Sequence, residues 1–321
     1  MILQIVLFIV SVFVLSWLSS RLVATLVDMA KFLHWREFIV AFFVMAFAAS
    51  LPNLFVDINA ALHGMPQISF GDIVGGNLVD LTLVMAVAVL FGAGSLPAES
   101  EMVQKSALFT SAIAVLPILL VWDGRLDRID GVILLGTVAF YTWWLFSKEE
   151  RFKKTYVGRP KNVIKNFRSF IFNILKIFIF LALLLAASYF VVNSAEFFSK
   201  QFGISLALVG ILIVGLGNCF PEAYFSIISA KKGENWMILG DLMGSIIVCA
   251  TLVLGIIALI SPFEIKDFSP LIVTRLFTIV ASLLFIFFIR TGKKVTKIEG
   301  LGLLSVYVLF LIIEIFIPYF R

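Results

Sequence analysis

Two stretches of this chain, 48–90 and 217–260, carry the same residue pattern, and this repeat constrains the fold more than any other feature. Pro221 follows Pro52 by 169 positions. Other pairs at the same offset are Asp72 with Asp241, Gly75 with Gly244, and the Thr-Leu-Val tripeptides at 82–84 and 251–253. A register kept without a gap over this length indicates an internal duplication. The chain is therefore predicted to consist of two structurally similar halves.

The two halves are predicted to lie in a lipid bilayer. Of the 321 residues, 61% are hydrophobic and only 14% are charged, and a soluble domain has too little interior to bury so much apolar surface. Apolar runs of about 20 residues, the length of a membrane-spanning helix, cover 2–30, 37–62, 72–94, 104–122, 130–147, 169–193, 204–230, 239–261, 270–290 and 299–319. The first run lacks a basic start and a cleavage site, so we expect a helix there rather than a signal peptide. The sequence thus predicts an all-α polytopic membrane protein with ten transmembrane helices.

The charges in the loops predict the orientation of these helices. Lys and Arg concentrate in the loops after odd-numbered helices, above all in the connector 148–168. By the positive-inside rule, these loops face the cytoplasm and both termini lie outside it. We therefore expect, in the cell membrane, a first five-helix repeat (1–147), a basic cytoplasmic connector and a second five-helix repeat (169–321). Because five is odd, the second repeat would be inverted relative to the first, as in many secondary transporters.

Proline at positions 52 and 221, within two predicted helices, indicates a cation site. Each proline lacks an N–H and clashes with the carbonyl group four residues earlier, at Ala48 or Gly217. Inside a bilayer, carbonyl groups freed in this way persist where they face a cavity or another partner. Hard cations bind oxygen ligands of this kind. The alternative interpretation is a structural kink.

Acidic residues near these prolines strengthen the prediction of a cation site. Glu222 follows Pro221 directly, and Asp80 lies midway along the third predicted helix. A carboxylate near the bilayer centre is costly unless it is paired, protonated or bound to a cation. Asp57 lies one turn after Asn53 on the same helical face. It would either supply the carboxylate that Asn53 lacks or line the route to the site.

The repeated glycine-containing segments supply further candidate ligands. Asp72 and Asp241 are expected near the starts of helices 3 and 8, either as functional groups or as helix caps that suit the helix dipole. Gly75, Gly76 and Gly244 permit close helix packing. Neutral candidate ligands are Ser50, Ser245, Asn77, Asn218 and the two thiols Cys219 and Cys249, which are not expected to form a disulfide. Helices 2, 3, 7 and 8 would thus meet at mid-membrane with a charge that suits one divalent cation or two monovalent ones.

The repeated pattern resembles the α-repeats of the cation/calcium exchanger superfamily, in particular those of microbial sodium/calcium exchangers. The resemblance rests on Pro221-Glu222 and on the Gly-Asp-x-x-Gly segments at 71–75 and 240–244. It implies ten helices in two inverted groups of five. It also implies alternating access, in which helices 1 and 6 slide across a core formed by the four site helices.

The resemblance further implies a set of ligands. The family's paired glutamates correspond to Asn53 and Glu222, its helix 3 asparagine to Asp80, and the equivalent helix 8 position to Cys249. Its ligand serines correspond to Ser50, Cys219, Gly76 and Ser245, and its backbone ligands to carbonyl groups around 46–49 and 214–218. Acid and amide are therefore exchanged in the first repeat, while the second repeat offers thiols where the family has oxygens.

Together these residues predict a secondary antiporter that exchanges Ca²⁺ for Na⁺ or H⁺. Glu222 and Asp80 would be the charged ligands of the metal site, Asn53 would complete it, and Ser50 and Ser245 would be neutral ligands. The alternatives are an antiporter or uniporter of altered ion selectivity, and an intramembrane aspartyl protease that uses Asp72 and Asp241. We predict no enzymatic activity, resident cofactor or nucleic-acid partner. The expected partners are the transported cations and the bilayer, and a transporter of this size can work as a monomer.

Reporter fusions test the predicted orientation. Alkaline phosphatase fused after Arg321 should be active in a bacterial host and green fluorescent protein should be dark there, because both termini are expected outside the cytoplasm. Fusions after Lys161, in the connector, should give the reverse. A fluorescent fusion at Arg321 would contradict the predicted orientation.

Overall fold

The structure is a computed structural model that describes residues 1–32, 50–92, 94–147, 167–231, 233, 235–265 and 269–316. Helices dominate the described residues. They are α1 (Ile2–Phe32), α2 (Leu51–Leu62), α3 (Pro66–Phe91), α4 (Glu101–Leu120), α5 (Arg128–Phe146), α6 (Phe167–Phe202), α7 (Leu206–Lys231), α8 (Asn235–Ile247, continued by Val248–Val253 and Leu254–Ile260), α9 (Ser269–Arg290) and α10 (Lys297–Phe316). A single 3₁₀ turn, Val121–Asp123, follows α4.

Eight of the described helices are long and apolar enough to cross a membrane. This finding confirms the predicted all-α, multi-pass membrane protein. The two helices outside this set are α5 and α2, and residues 33–49, which precede α2, lie outside the described part of the chain. The connector is likewise undescribed as far as residue 166. The number of ten membrane crossings stays a prediction.

The helices α3 and α8 begin earlier than the sequence predicted. They start at Pro66 and at Asn235, which are again 169 positions apart. Proline suits the first turn of a helix because it needs no backbone donor there. Asp72 and Asp241 are therefore the seventh residue of their helices, and the first turn of each helix holds no acidic residue. The expected placement of these aspartates near the helix starts was wrong, and of the two roles left open for them, functional group or cap, the structure excludes the cap.

The two repeats interlock through equivalent contacts. The helix α3 of the first repeat packs against α9 and α10 of the second, while α8 packs against α4 and α5. Short antiparallel ladders join the same partners: β1 (Ser95–Pro97) pairs with β4 (Lys294–Thr296), and β2 (Arg125–Leu126) pairs with β3 (Phe263–Glu264). The offset of 169 carries the β1–β4 pair onto the β3–β2 pair. The duplication in the sequence is thus present in the fold.

Glycines bring α3 and α7 into close contact at the centre of the molecule. A Cβ atom added at Gly75 would lie 2.5 Å from the carbonyl oxygen of Ile211, and one at Gly71 would overlap that of Ala207. On the facing helix, a Cβ atom at Gly215 would lie 2.8 Å from the amide nitrogen of Gly76. Small residues permit such backbone contact between helices in a membrane. The two helices that carry half of the ten candidate ligands are therefore held in backbone contact.

The apolar interior is divided into two clusters of buried side chains. One cluster joins α1 and α6 to the faces of α2 and α7, and the aromatic pair Phe8 and Phe198 lies within it. The other cluster is built mainly from α3, α4, α5, α8, α9 and α10. The pair α1 and α6 thus forms a unit of its own that packs on the remaining helices.

Substitution of Gly75 tests the packing of α3 against α7. Gly75→Ala should lower the free energy of unfolding by about 1–3 kcal/mol, because the new methyl group overlaps the backbone of Ile211. A lower melting temperature in detergent, followed by tryptophan fluorescence, would report the loss. The control is Gly136→Ala in α5, where a Cβ atom meets nothing within 4 Å; this variant should keep or raise the melting temperature. Equal melting temperatures for the two variants would contradict the packing.

Candidate cation-binding site

The helices α2, α3, α7 and α8 place all ten predicted ligands in the interior of the protein. Their side chains are at most 6% exposed; they are Ser50, Asn53, Asp57, Asn77, Asp80, Asn218, Cys219, Glu222, Ser245 and Cys249. Asp72 and Asp241 are buried on the same helices. These four helices therefore enclose a polar interior within an otherwise apolar protein.

A helix break at Cys219 positions the second proline. The helix stops after Asn218 and resumes so that Pro221 is the second residue of the new segment. Pro52 is likewise the second residue of α2, which begins directly after Ser50. The sequence predicted prolines midway along continuous helices, but in α7 the helix ends and starts again because Pro221 cannot donate to the preceding turn. The predicted backbone ligands around 46–49 lie outside the described residues.

Two contacts between the repeats lie close to these breaks. The Nδ2 atom of Asn53 donates to the Sγ atom of Cys249 at 3.4 Å. The offset of 169 carries this pair onto Glu222 and Asp80, whose carboxyl groups are close enough to interact electrostatically. One contact is therefore neutral, whereas its counterpart holds two carboxyl groups. The two repeats are therefore equivalent in fold but differ in the charge of these side chains.

The carboxyl-bearing contact forms what we call the acidic half-site: Asp80, Glu222 and Cys219. The Sγ atom of Cys219 lies beside Asp80 and donates to the carbonyl oxygen of Gly76 at 3.5 Å. Both carboxyl oxygens of Glu222 and the Oδ1 atom of Asp80 have no hydrogen-bond partner among the described residues. Buried acceptors without donors are rare in proteins and call for an ion, a proton or a water molecule. The acidic half-site therefore has the donor chemistry of a cation site.

The aspartate pair, Asp57 and Asp72, forms a second group, and Asp72 is also close enough to Asp80 and Glu222 to interact with them electrostatically. The carboxyl group of Asp57 lies beside that of Asp72 rather than beside Glu222. The Nδ2 atom of Asn218 donates to the Oδ2 atom of Asp72 at 2.7 Å, and the hydroxyl group of Ser69 donates to the backbone carbonyl of Asp57 at 2.9 Å. The structure thus sorts the predicted ligands into two groups that sequence spacing alone could not separate.

The remaining predicted ligands are placed as follows. Ser50 lies beside Cys249, on the neutral side of the site. Ser245 is buried within α8. Asn77 is buried within α3, and its Nδ2 atom has no partner among the described residues. The two cysteines are free thiols, as expected.

His, Cys, Asp and Glu side chains do not make a complete metal site by themselves. Within the described residues, no group of three or more of these side chains is arranged to hold a metal ion. A cation bound at the acidic half-site would therefore need amide, hydroxyl or backbone oxygens in addition, as hard cations commonly do. Asn53 offers such an oxygen, because its Oδ1 atom has no partner in the described part of the chain.

Of the three π-helical segments among the described residues, all missed by sequence reasoning, two carry one site residue each, in α3 and α8. One is Asp80–Val84 and the other is Val248–Val253, where Cys249 occupies the position equivalent to Asp80. The hydroxyl groups of Thr82 and Thr251 donate to the carbonyl groups of Leu78 and Ile247 and so occupy acceptors next to these segments. Single π turns occur mostly at functional sites. The repeated Thr-Leu-Val tripeptide marks both segments in the sequence, but no sequence rule predicts a π turn from it.

Sequence reasoning also missed several buried polar residues, among them Glu314 and Ser226. Glu314 in α10 is 4% exposed, and its Oε2 atom has no partner among the described residues. Ser226 in α7 is fully buried, and its hydroxyl group is likewise without a partner there. Ser226 could have been found, because it stands 169 positions after Asp57. Glu314 lies outside the repeated motif and gave no such signal.

Comparison with known proteins identifies the family. The family model described as sodium/calcium exchanger protein matches residues 3–147 and 172–316, one match in each predicted repeat. The chain belongs to the sodium/calcium exchanger family. This membership confirms the resemblance found in the sequence. The family and the fold are those of a transporter that is integral to the membrane.

Proteins with similar sequences match nearly the whole chain. The sodium/calcium exchanger MaX1 of Methanosarcina acetivorans is 24% identical over 334 residues, which cover 93% of this chain and 95% of that protein. The inner membrane protein YrbG of Escherichia coli is 25% identical over 300 residues, covering 92% and 90%. The solved structure of the sodium–calcium exchanger NCX_Mj soaked with Na⁺ and Sr²⁺ matches with a TM-score of 0.64 at 22% identity, covering 96% and 97%. This chain therefore has the exchanger fold.

Removal of the Asn218 amide tests the contact with Asp72. Asn218→Ala should lower the free energy of unfolding by about 1.5–3 kcal/mol, because a buried carboxylate loses its donor. The comparison variant is Asn59→Ala, which removes a bond of 3.1 Å to the neutral hydroxyl group of Ser188 and should cost only about 0.5–1.5 kcal/mol. Melting temperatures of both variants would be measured in detergent. A smaller loss for Asn218→Ala than for Asn59→Ala would contradict a charged Asp72.

Proposed function

We propose that this exchanger-family protein is a secondary antiporter that moves Ca²⁺ in exchange for Na⁺ or H⁺. The observation that carries the proposal is the acidic half-site, where Asp80 and Glu222 lie together, buried and with three carboxyl oxygens that have no partner in the described residues. Two carboxylates balance the charge of one divalent cation. Asn53, Ser50 and Ser245 are proposed as neutral ligands, and Cys219 and Cys249 as thiols beside them.

The cost of buried charge favours exchange over leak. An unloaded acidic half-site would expose two uncompensated carboxylates to a medium of low dielectric constant, which is costly. A carrier of this kind crosses its barrier readily only when cations or protons neutralise the site. One ion therefore has to be bound for the return step after the other has left. This coupling is the property that distinguishes an antiporter from a uniporter.

We propose that the movement takes place between the unit α1–α6 and the other helices. Ten helices in two inverted groups of five, with both termini outside the cytoplasm, are proposed for the arrangement in the membrane. The separate apolar cluster of α1 and α6 supports a unit that moves as a body. Its contact with the site helices is mainly apolar: a Cβ atom added at Gly217 would lie 3.2 Å from the ring of Phe8, and the hydrogen bond from Asn59 of α2 to Ser188 of α6 is a polar contact between them. Apolar contacts of this kind are non-directional and can shift without breaking hydrogen bonds.

The choice of Ca²⁺ rests on the hard oxygen donors and on the relative MaX1, which is named a sodium/calcium exchanger. Two features favour an altered ion selectivity as the second candidate function. Asn53 replaces a carboxylate, and the thiols Cys219 and Cys249 stand where oxygens would bind hard cations more strongly. A uniporter with the same site is distinguished by flux that does not depend on a counter-ion.

The protease hypothesis finds no support in the geometry. An aspartyl dyad needs two carboxyl groups at close range. The polar neighbours of Asp72 are Asn218 and Asp57, and Asp241 is not among them. We therefore place Asp72 and Asp241 in the polar interior of a transporter.

Tracer uptake tests the antiporter proposal and the acidic half-site together. Liposomes that contain the purified protein would be loaded with Na⁺, with acid, or with neither, and uptake of radioactive Ca²⁺ would be measured. We expect uptake driven by one of the two gradients. Glu222→Gln and Asp80→Asn should each reduce it by about tenfold to a hundredfold, because each variant removes a charged ligand.

The matched control is Glu196→Gln, which removes an exposed carboxylate paired with Lys200 in α6 and should leave uptake unchanged. Uptake without any gradient dependence would favour a uniporter. Gradient-driven uptake that survives in both site variants would place the Ca²⁺ site elsewhere. An absence of Ca²⁺ uptake in every condition would favour altered selectivity, which a screen of other cations would then resolve.

A further inference from the structure

The aspartate pair is a second group of buried acceptors, distinct from the acidic half-site. Asp57 is fully buried, and Asp72 is 1% exposed. Both carboxyl oxygens of Asp57 and the Oδ1 atom of Asp72 have no hydrogen-bond partner among the described residues. Asp57 and Asp72 lie side by side on α2 and α3. Three carboxyl oxygens thus converge where the described residues supply no donor for them.

The neighbours of this pair hold it in place without neutralising its charge. Asn218 and Ser69 are its hydrogen-bonding neighbours, and both are uncharged. The ion pairs found in the described part of the chain, Lys105–Glu101, Arg125–Asp123 and Lys200–Glu196, do not involve either aspartate. Adjacent carboxylates in a low-dielectric interior repel each other. The pair therefore needs a cation, or a proton shared between the two carboxyl groups, because the described ion pairs provide no positive charge for it.

The position of the pair within α3 separates it from the acidic half-site. Asp72 precedes Asp80 by eight residues, which is about 12 Å along the axis of a helix. At the N-terminal end of the same helix, Pro66 and Gln67 line an open cavity of about 540 Å³. The acidic side chains Asp127 and Glu264, together with Arg125, also line this cavity. Along α3 the pair thus lies between the cavity and the acidic half-site.

The second repeat provides an internal comparison. The positions equivalent to Asp57 and Asp72 are Ser226 and Asp241. Both are buried, but they bring one carboxyl group instead of two. The fold itself therefore does not require a second carboxylate at this position, because the equivalent helices pack with a serine there.

We propose that Asp57 and Asp72 form a second cation-binding site, separate from the acidic half-site, on the route between the 540 Å³ cavity and that half-site. The atoms free to bind a cation there are all carboxyl oxygens, so the site selects hard cations, Na⁺ or Ca²⁺, over soft ones. Cation binding at the pair stands on the contacts described here. Only its place on a transport route rests on the proposed function.

The test removes the acidic half-site and asks what still binds. Purified full-length Asp80→Asn/Glu222→Gln protein would be dialysed to equilibrium against radioactive Ca²⁺ and, separately, against radioactive Na⁺. We expect one cation per chain to remain bound in one of the two experiments. The experiment that shows binding identifies the ion. Adding Asp57→Asn should abolish that binding. Adding Ser226→Ala, the equivalent position in the second repeat, should leave it unchanged.

A second measurement needs no change at the pair and so does not depend on the folding of Asp57→Asn. The Asp80→Asn/Glu222→Gln protein should melt at a higher temperature in the presence of the ion that it binds, because a ligand of the folded state stabilises it by mass action. Failure of both Ca²⁺ and Na⁺ to bind and to raise the melting temperature would overturn the inference. Binding that persists with Asp57→Asn would also overturn it.

These outcomes are separate from those of the proposed function. Retained binding by the pair in a protein that transports nothing would refute the antiporter and leave the second site standing. Gradient-driven Ca²⁺ uptake by the wild-type protein, together with no cation bound by the Asp80→Asn/Glu222→Gln protein, would support the antiporter and refute the second site.

Discussion

A carboxylate inside a bilayer has to be compensated, and the arrangement of this protein follows from that constraint. Lipid offers neither hydrogen-bond donors nor counter-ions, so each buried acid must be screened by protein, proton or cation. Four helices enclose the acids of the site, and the close glycine contacts of α3 with α7 leave no room for lipid between them. The helix break at Cys219 places Pro221, which has no N–H group, directly before Glu222 in this polar interior.

The duplication of the chain fixes the positions of these groups but not their charge. The helix starts, the interlocking contacts and the β-ladders obey the offset of 169 residues, because they depend on backbone geometry and packing. The ionisable side chains do not obey it. Asn53 faces Cys249 where Glu222 faces Asp80, and Asp57 corresponds to Ser226. A cation attracted by such an arrangement would lie away from the symmetry axis, towards the acidic half-site.

Much of the fold could be predicted from the sequence, because the lipid environment leaves few alternatives to apolar helices. The helix bounds were less accurate: α3 and α8 start six and four residues before the predicted positions 72 and 239. The membrane-spanning part of an apolar helix and its buried first turns have similar compositions, so composition does not show where the helix begins. The burial of all ten candidate ligands was predictable from the cost of placing polar groups in lipid.

Contacts between helices were not predictable, because they depend on rotation and spacing that one sequence does not encode locally. Spacing placed Asp57 on the face of Asn53, but only the structure shows that its carboxyl neighbour is Asp72. The π segment at Asp80–Val84 also depends on context, since an inserted turn of this kind is stabilised by packing on both sides. Glu314 had no repeated counterpart to reveal it.

The distribution of polar and apolar contacts suggests how such a charged interior can coexist with movement. The polar groups belong to α2, α3, α7 and α8, where hydrogen bonds such as that between Asn218 and Asp72 fix their relative positions. The unit α1–α6 meets these helices through buried apolar side chains such as Val12, Leu15 and Leu184. Moving a directional hydrogen bond exposes an unpaired group, whereas moving one apolar surface over another exchanges similar contacts. Most directional contacts thus lie among the helices that hold the ligands, and the apolar α1–α6 surface is joined to them by the hydrogen bond from Asn59 of α2 to Ser188 of α6, which sliding would have to break.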